Sequence, residues 1–271
     1  MRQTMTETRR YFVKGAFLLL AAMMLALSAA AFYRNEVSAD EAVSTDRNGA
    51  AAENAVSTDK LQVTFQKSNK KYTLKNGKAY MKLSYQLPLV AGDSEAARAI
   101  NDFYSKEKQK WINGHNNDRK DASRDGKNGG PALSDDIMNC RVSFQDSYIN
   151  IYQEGYYYTG GAHGMPYRIS HIFSVATGQQ VTAAQVLGLT NQQVNEKVRE
   201  KYIKRYNKTR GTNKCQFYGF DNGKWLKKEL KKIDFAGDEK YYLKKGKLVF
   251  YADPYMLGPY AGGFIEVSFG V

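Results

Sequence analysis

The sequence predicts an α+β fold, with mostly antiparallel sheets and helices packed on one face, in two small subdomains. Three observations predict it. Several stretches after residue 60 alternate apolar and polar residues with the period of a strand. Between them lie segments whose apolar residues recur at helical spacing. Two threonines followed three residues later by glutamine (Thr182 and Gln185, Thr190 and Gln193) give helix-start signals with a hydrogen-bond mechanism.

The first 60 residues have a different character. Gly15 to Tyr33 is an uncharged, apolar run of about the length that crosses a bilayer as a helix. Arg2, Arg9, Arg10 and Lys14 precede it, with Glu7 the only acid. Positive charge stays inside, so residues 1–14 are expected to be a cytoplasmic tail and 15–33 a transmembrane helix, with the rest extracytoplasmic. The other reading is a signal peptide cut near Ala29-Ala30-Ala31, which gives a secreted protein. Residues 34–60 are rich in Ala, Ser, Thr and Asn and bring too little apolar surface to offset ordering, so a disordered spacer is expected. The folded part is read as a small α+β domain over 61–133 and a second over 134–271.

Leu61 to Phe65 and Ala79 to Val90 read as strands, with Asn76-Gly77 as a hairpin turn and Pro88 marking an edge or a strand end. Asp93 and Ser94 can cap a helix running to about Ile112, with Ile100, Phe103, Tyr104, Glu107 and Trp111 on one stripe. Gly114 to Gly130 is polar and glycine-rich and reads as a loop or boundary. Ile137 to Tyr158 is expected to be a hairpin turning at Gln145-Asp146-Ser147, followed by a strand over Arg168 to Val175. A helix from Asn191 to about Asn207 places Val194, Val198, Tyr202 and Tyr206 on one face. Its other face is basic, through Lys197, Arg199, Lys201, Lys204, Arg205 and Lys208. Trp225 to Lys232 reads as a third helix, and Tyr241–Leu243, Lys247–Ala252 and Phe264–Phe269 complete a sheet.

The chain carries 40 Lys and Arg against 27 Asp and Glu, a net charge of +13. The charges of residues 1–60 cancel, so the excess lies entirely in the folded part. That suits either a solvated surface or attraction to an anionic cell-wall polymer. No nucleic-acid motif accompanies it. Cys140 and Cys215 fall in the exported part, as a disulfide or as two buried thiols. His115, His163 and His171 form no metal-ligand spacing, and no catalytic triad or Gly-x-Ser-x-Gly stands out, so neither a cofactor nor an enzyme is expected. An envelope enzyme with an unrecognised site is the alternative from another class.

The tyrosines cluster beside two glycine-rich turns, as Tyr156-Tyr157-Tyr158 before Thr159-Gly160-Gly161-Ala162-His163-Gly164 and as Tyr255 and Tyr260 within Pro254 to Gly263. Tyrosine gives rigid contact area with a polar tip. Tyr156, Tyr157, Tyr158, Gly161, His163, Tyr255 and Tyr260 are therefore the candidate binding residues, as one aromatic surface. The alternatives are plain alternation across a half-buried sheet and a histidine that fixes its own turn.

Four pieces in order carry a family resemblance: the Tyr158 to Gly164 turn, Phe173-Ser174-Val175-Ala176-Thr177-Gly178, the helix start over Val181 to Leu187, and Pro254 to Gly263. Together, over Asn139 to Val271, they resemble the C-terminal domain of the RsiV-like family, the ectodomain of membrane-anchored anti-sigma-V factors that sense lysozyme. Leu61 to about Gly130 resembles the domain preceding it there, and also the N-terminal region of some peptidoglycan deacetylases. The resemblance implies a non-catalytic binding or sensing module of the cell envelope, anchored in the cell membrane, with a protein such as lysozyme as partner. Residues 1–14 are too short to hold a sigma factor, so the signalling role is not expected to carry over.

Overall fold

The computed structural model describes residues 61–271, so the expectations for a tail, a membrane span and a spacer lie outside the described residues. Among the described residues no helix is long and apolar enough to cross a membrane. The chain forms an α+β structure with a five-stranded and a three-stranded sheet.

The first sheet has the order β1-β2-β3-β4-β5, from β1 (Val63–Thr73), β2 (Ala79–Val90), β3 (Leu133–Gln145), β4 (Tyr148–Tyr158) and β5 (Met165–Ser174). The β1–β2 hairpin closes at Asn76-Gly77, where Gly77 takes φ +81°. Pro88 pairs with Phe65 of β1, beyond the short Met81–Ser84 stretch where β2 runs parallel to β3, so its missing N–H breaks no second ladder. The remaining pairs are antiparallel. β3 carries a bulge between Met138 and Arg141, with Asn139 at φ 50°.

The crossover from β2 to β3 is α1 (Glu95–Lys127), capped by Ser94, whose hydroxyl accepts from Ala97 N–H at 3.1 Å. This corrects the sequence reading, which ended the helix near Ile112 and made Gly114 to Gly130 a loop. Weak helix formers there are overridden by packing, because Trp111, His115, Ala122 and Gly126 continue the buried stripe against the sheet. Gly126 is the point of closest approach, since a Cβ there would stand 2.8 Å from Tyr80 Cβ.

The second sheet, β6 (Tyr241–Leu243), β7 (Lys247–Ala252) and β8 (Ile265–Gly270), is wholly antiparallel. It is packed by α2 (Ala183–Leu187), α3 (Asn191–Thr209) and α4 (Lys224–Leu230). Both expected capping boxes are formed, with Thr182 and Gln185 opening α2 and Thr190 and Gln193 opening α3. Val194, Val198, Tyr202 and Tyr206 of α3 are buried in the largest core, with Phe235, Phe250 and Leu257.

The division at 133/134 falls at the start of β3, inside a continuous sheet, so the sheets divide after β5 instead. The two are tied at β3 and β4. Asn150 Oδ1 accepts from Leu243 N–H at 2.8 Å, and Ser143 Oγ donates to Leu243 O at 3.0 Å.

Candidate functional site

Strand alternation decides which tyrosines can act together. In β4 the side chains of Tyr152, Glu154, Tyr156 and Tyr158 share one face, and Tyr157 takes the other. Tyr157 accordingly turns under the sheet, packs on the core beneath α1 and hydrogen-bonds Asp118. It does not join the other candidate residues, which corrects the single aromatic surface read from the sequence.

The rest of that surface forms. The 159–164 turn meets the 253–264 loop, and His163 lies over Tyr260, with centroids 4.0 Å apart and planes at 26°. Tyr255 stands beside this pair, 6.4 Å from His163 and 5.7 Å from Tyr260, so the three rings form a triangle. His163 Nδ1 lies 2.9 Å from Gly164 O, which can only accept, so Nδ1 carries the proton. Nε2 is then free to accept from the Tyr255 hydroxyl at 3.3 Å. Tyr156 OH accepts from Gly164 N–H at 2.8 Å and stands within hydrogen-bond reach of Tyr260. Tyr158 OH donates to Gly161 O at 3.1 Å, with Gly161 at φ 93°. The histidine thus both fixes its turn and forms the centre of the aromatic group.

Two features set this shape. A Cβ on Gly164 would meet Tyr157 O at 2.5 Å, and one on Gly258 would meet Gln216 O at 1.9 Å, so neither position admits a side chain. Tyr255 has φ 70°, a left-handed backbone that a bulky residue rarely adopts, and its side chain is 47% exposed. A strained, exposed aromatic held over a histidine is an arrangement for contact rather than for core packing.

Beside it lies a cavity of about 190 Å³ that the sequence reading missed. Tyr156, Met138, Pro166 and Phe264 give it apolar walls, and Asn139, Glu154 and Arg168 its polar groups. The Arg168 guanidinium stands 3.8 Å from the Phe264 ring centre and 5.2 Å from that of Tyr251, and its Nη1 donates to Glu266 Oε1 at 2.6 Å. Its Nε, 3.8 Å from Glu154 Oε1, has no hydrogen bond among the described residues. Glu154 accepts from Tyr152 OH at 2.6 Å, Asn139 at 3.2 Å and Arg141 at 3.1 Å. Burial pushes its carboxyl up, but those donors and the two arginine charges outweigh this and leave it below the usual range. The signal in the sequence was the shared parity of Tyr152, Glu154 and Tyr156 on one strand.

The histidines read as isolated do different work. His115 lies buried on α1 with Nδ1 2.7 Å from Trp111 O and Nε2 2.9 Å from Asp135 Oδ2. Tyr167 OH donates to the other Asp135 oxygen at 2.6 Å. Burial lowers the His115 proton affinity, but Asp135, the Trp111 carbonyl and Asp118 together raise it above the ordinary value. His171 is buried beneath α1, its Nδ1 3.2 Å from Tyr104 OH. Burial, helped by Lys110, holds it down to about 4, so the Glu239 carboxylate 3.6 Å away forms no ion pair with it at neutral pH.

Cys140 and Cys215 are both free, so of the two readings the pair of thiols holds and the disulfide does not. They pack against different cores, Cys140 beneath the first sheet and Cys215 beside α3. Burial pushes the Cys140 thiol up to about 11, far from a reactive thiolate. Among the described residues no group of three or more His, Cys, Asp or Glu side chains is placed to hold a metal ion.

Compared with known proteins, residues 74–166 match the family Deacetylase PdaC, and residues 189–270 match a protein family of unknown function, DUF3298. The first match therefore contains the Tyr156 to Gly164 turn and the second the Tyr255 and Tyr260 loop, so the aromatic group joins one to the other. A crystal structure of a DUF3298 member from Bacteroides fragilis is similar, with a TM-score of 0.51 at 16% identity over 78% of this chain and 90% of that one. A DUF3298 protein from Pseudomonas aeruginosa gives 0.49 at 15%, with the same coverage. The first likeness shows a shared fold. No curated protein matches the chain.

Proposed function

We propose that this is a non-catalytic binding or sensing module of the bacterial cell envelope, held in the cell membrane by residues 15–33 and displaying residues 61–271 outside. The observation that carries the reading is the triangle of His163, Tyr255 and Tyr260, with Tyr255 exposed on a left-handed backbone. A surface already fixed before binding loses little entropy when a partner meets it, and tyrosine-rich surfaces supply the anchors of many protein interfaces. The cavity at Arg168 continues this surface through Tyr156, so the partner contact is a shaped one with an apolar wall and a polar floor.

The resemblance to RsiV-like ectodomains supports lysozyme as the protein partner, and the Deacetylase PdaC and DUF3298 matches fit an ectodomain of that kind. The +13 charge opposes it, because typical lysozymes are themselves basic and repulsion slows encounter. The full chain is therefore tested against immobilised lysozyme and against purified peptidoglycan stripped of its anionic polymer. Y255G and Y260A should each abolish retention on whichever surface holds the wild type. Wild-type retention on neither, or retention unchanged in both variants, contradicts the reading.

A further inference from the structure

The basic face of α3 read from the sequence divides in two. Arg199 donates to the carbonyls of Leu230 and Ile233, at 2.9 and 3.0 Å, and Arg205 bonds Glu266 O and Gln216 Oε1. Both arginines are structural. Three of the four lysines are not spent that way. Lys197, Lys204 and Lys208 are exposed, with no ion pair and no side-chain hydrogen bond among the described residues. With Lys201 they stand at i, i+4, i+7 and i+11, one row about 16 Å long on one helix face. Lys201 rests over the Phe269 ring at 4.0 Å and bonds Ser268 O, which fixes the row against β8. Burial and the charges of Lys204 and Lys247 hold its amine below the ordinary lysine range, so β7 brings a further cation to the row. Glu196 and Glu200 of the helix form no ion pair with these lysines among the described residues.

Glu200 flanks the row one turn from Lys204, but four cations against it still repel one another, and a ligand of opposite sign relieves that repulsion. We infer that the row of lysines on α3, widened by Lys247, is a docking surface for a linear polyanion of repeating phosphodiester groups. A line of cations matches a line of anions along its length. Lysine ammonium groups, compact and strongly hydrated, suit flexible phosphodiesters that need no planar fork. The surface does not include the aromatic group at His163, so the inference stands apart from that site.

The test uses the full chain and poly(glycerol phosphate) of defined length as the probe. The triple variant K197E, K204E, K208E should weaken binding by about tenfold or more, and wild-type binding should fall steeply between about 0.05 and about 0.5 M salt. A control triple, K67E, K71E, K82E, changes the net charge equally on the exposed face of β1 and β2 and should stay within about twofold of the wild type. Y255G should bind the polymer as the wild type does. Equal losses in the two triples reduce the effect to net charge and overturn the inference. So does the absence of polymer binding, or binding confined to anionic lipid vesicles. Circular dichroism of each triple confirms that the fold is kept, as expected for lysines that bond nothing.

Discussion

His163, Tyr255 and Tyr260 were legible in the sequence as members of two tyrosine- and glycine-rich stretches, but their meeting was not. It depends on loops 92 residues apart in the chain, joined at His163 and Tyr255. Tyr157 was misplaced because three adjacent tyrosines look like one patch, whereas a strand sends neighbours to opposite faces. The two buried histidines give a prediction at this scale. His115 has a raised proton affinity, so its contribution is complete below about pH 6.5 and is lost as pH rises through its folded value. The groups facing it are Asp135, Tyr167, Tyr157, Asp118 and the Trp111 carbonyl. His171 acts in the opposite sense. Its contribution is complete above pH 6.5 and is lost as pH falls to about 4, a loss on the order of 3 kcal/mol. Urea midpoints from pH 4 to 9 should fall on both flanks. H171N should flatten the acid flank and D135N the alkaline one. Flanks unaltered in both variants would show that these residues do not set the profile.

At the scale of elements, starts were more legible than ends. The capping boxes before α2 and α3 carry a local hydrogen-bond signal, and both formed. The end of α1 has no such signal in its own residues, because the sheet holds Trp111, His115 and Gly126 in helical conformation from outside. G126V tests this directly. The added side chain must enter the space of Tyr80, and the variant should lose about 1–3 kcal/mol in thermal or urea unfolding. A variant as stable as the wild type would mean that α1 does not rest on β2 there. The β3 bulge was invisible in sequence, although it places Met138 and Asn139 at the mouth of the cavity.

For the whole molecule, composition located the excess positive charge in the folded part but could not arrange it. Only the structure separates arginines bonded to carbonyls from lysines left in a row. The class of fold was legible because alternation, helical stripes and turn signals agreed with one another. The subdomain boundary was not, because the parallel β2–β3 pairing joins residues on either side of 133 through a long crossover. The cysteines likewise fall into two separate cores. Thiol titration of the denatured, unreduced protein should therefore find both Cys140 and Cys215 reactive. Finding neither reactive would mean that the two cores come together in a way this fold does not allow.

The central claim is that the aromatic group at His163 is the contact surface for a partner. Y255G tests it most directly, because it removes the exposed ring while relieving the left-handed backbone at φ 70°. The account predicts a variant within about 1 kcal/mol of wild-type stability that no longer binds whichever of lysozyme and polymer-free peptidoglycan retains the wild type. A stable Y255G protein that binds as tightly as the wild type would contradict it.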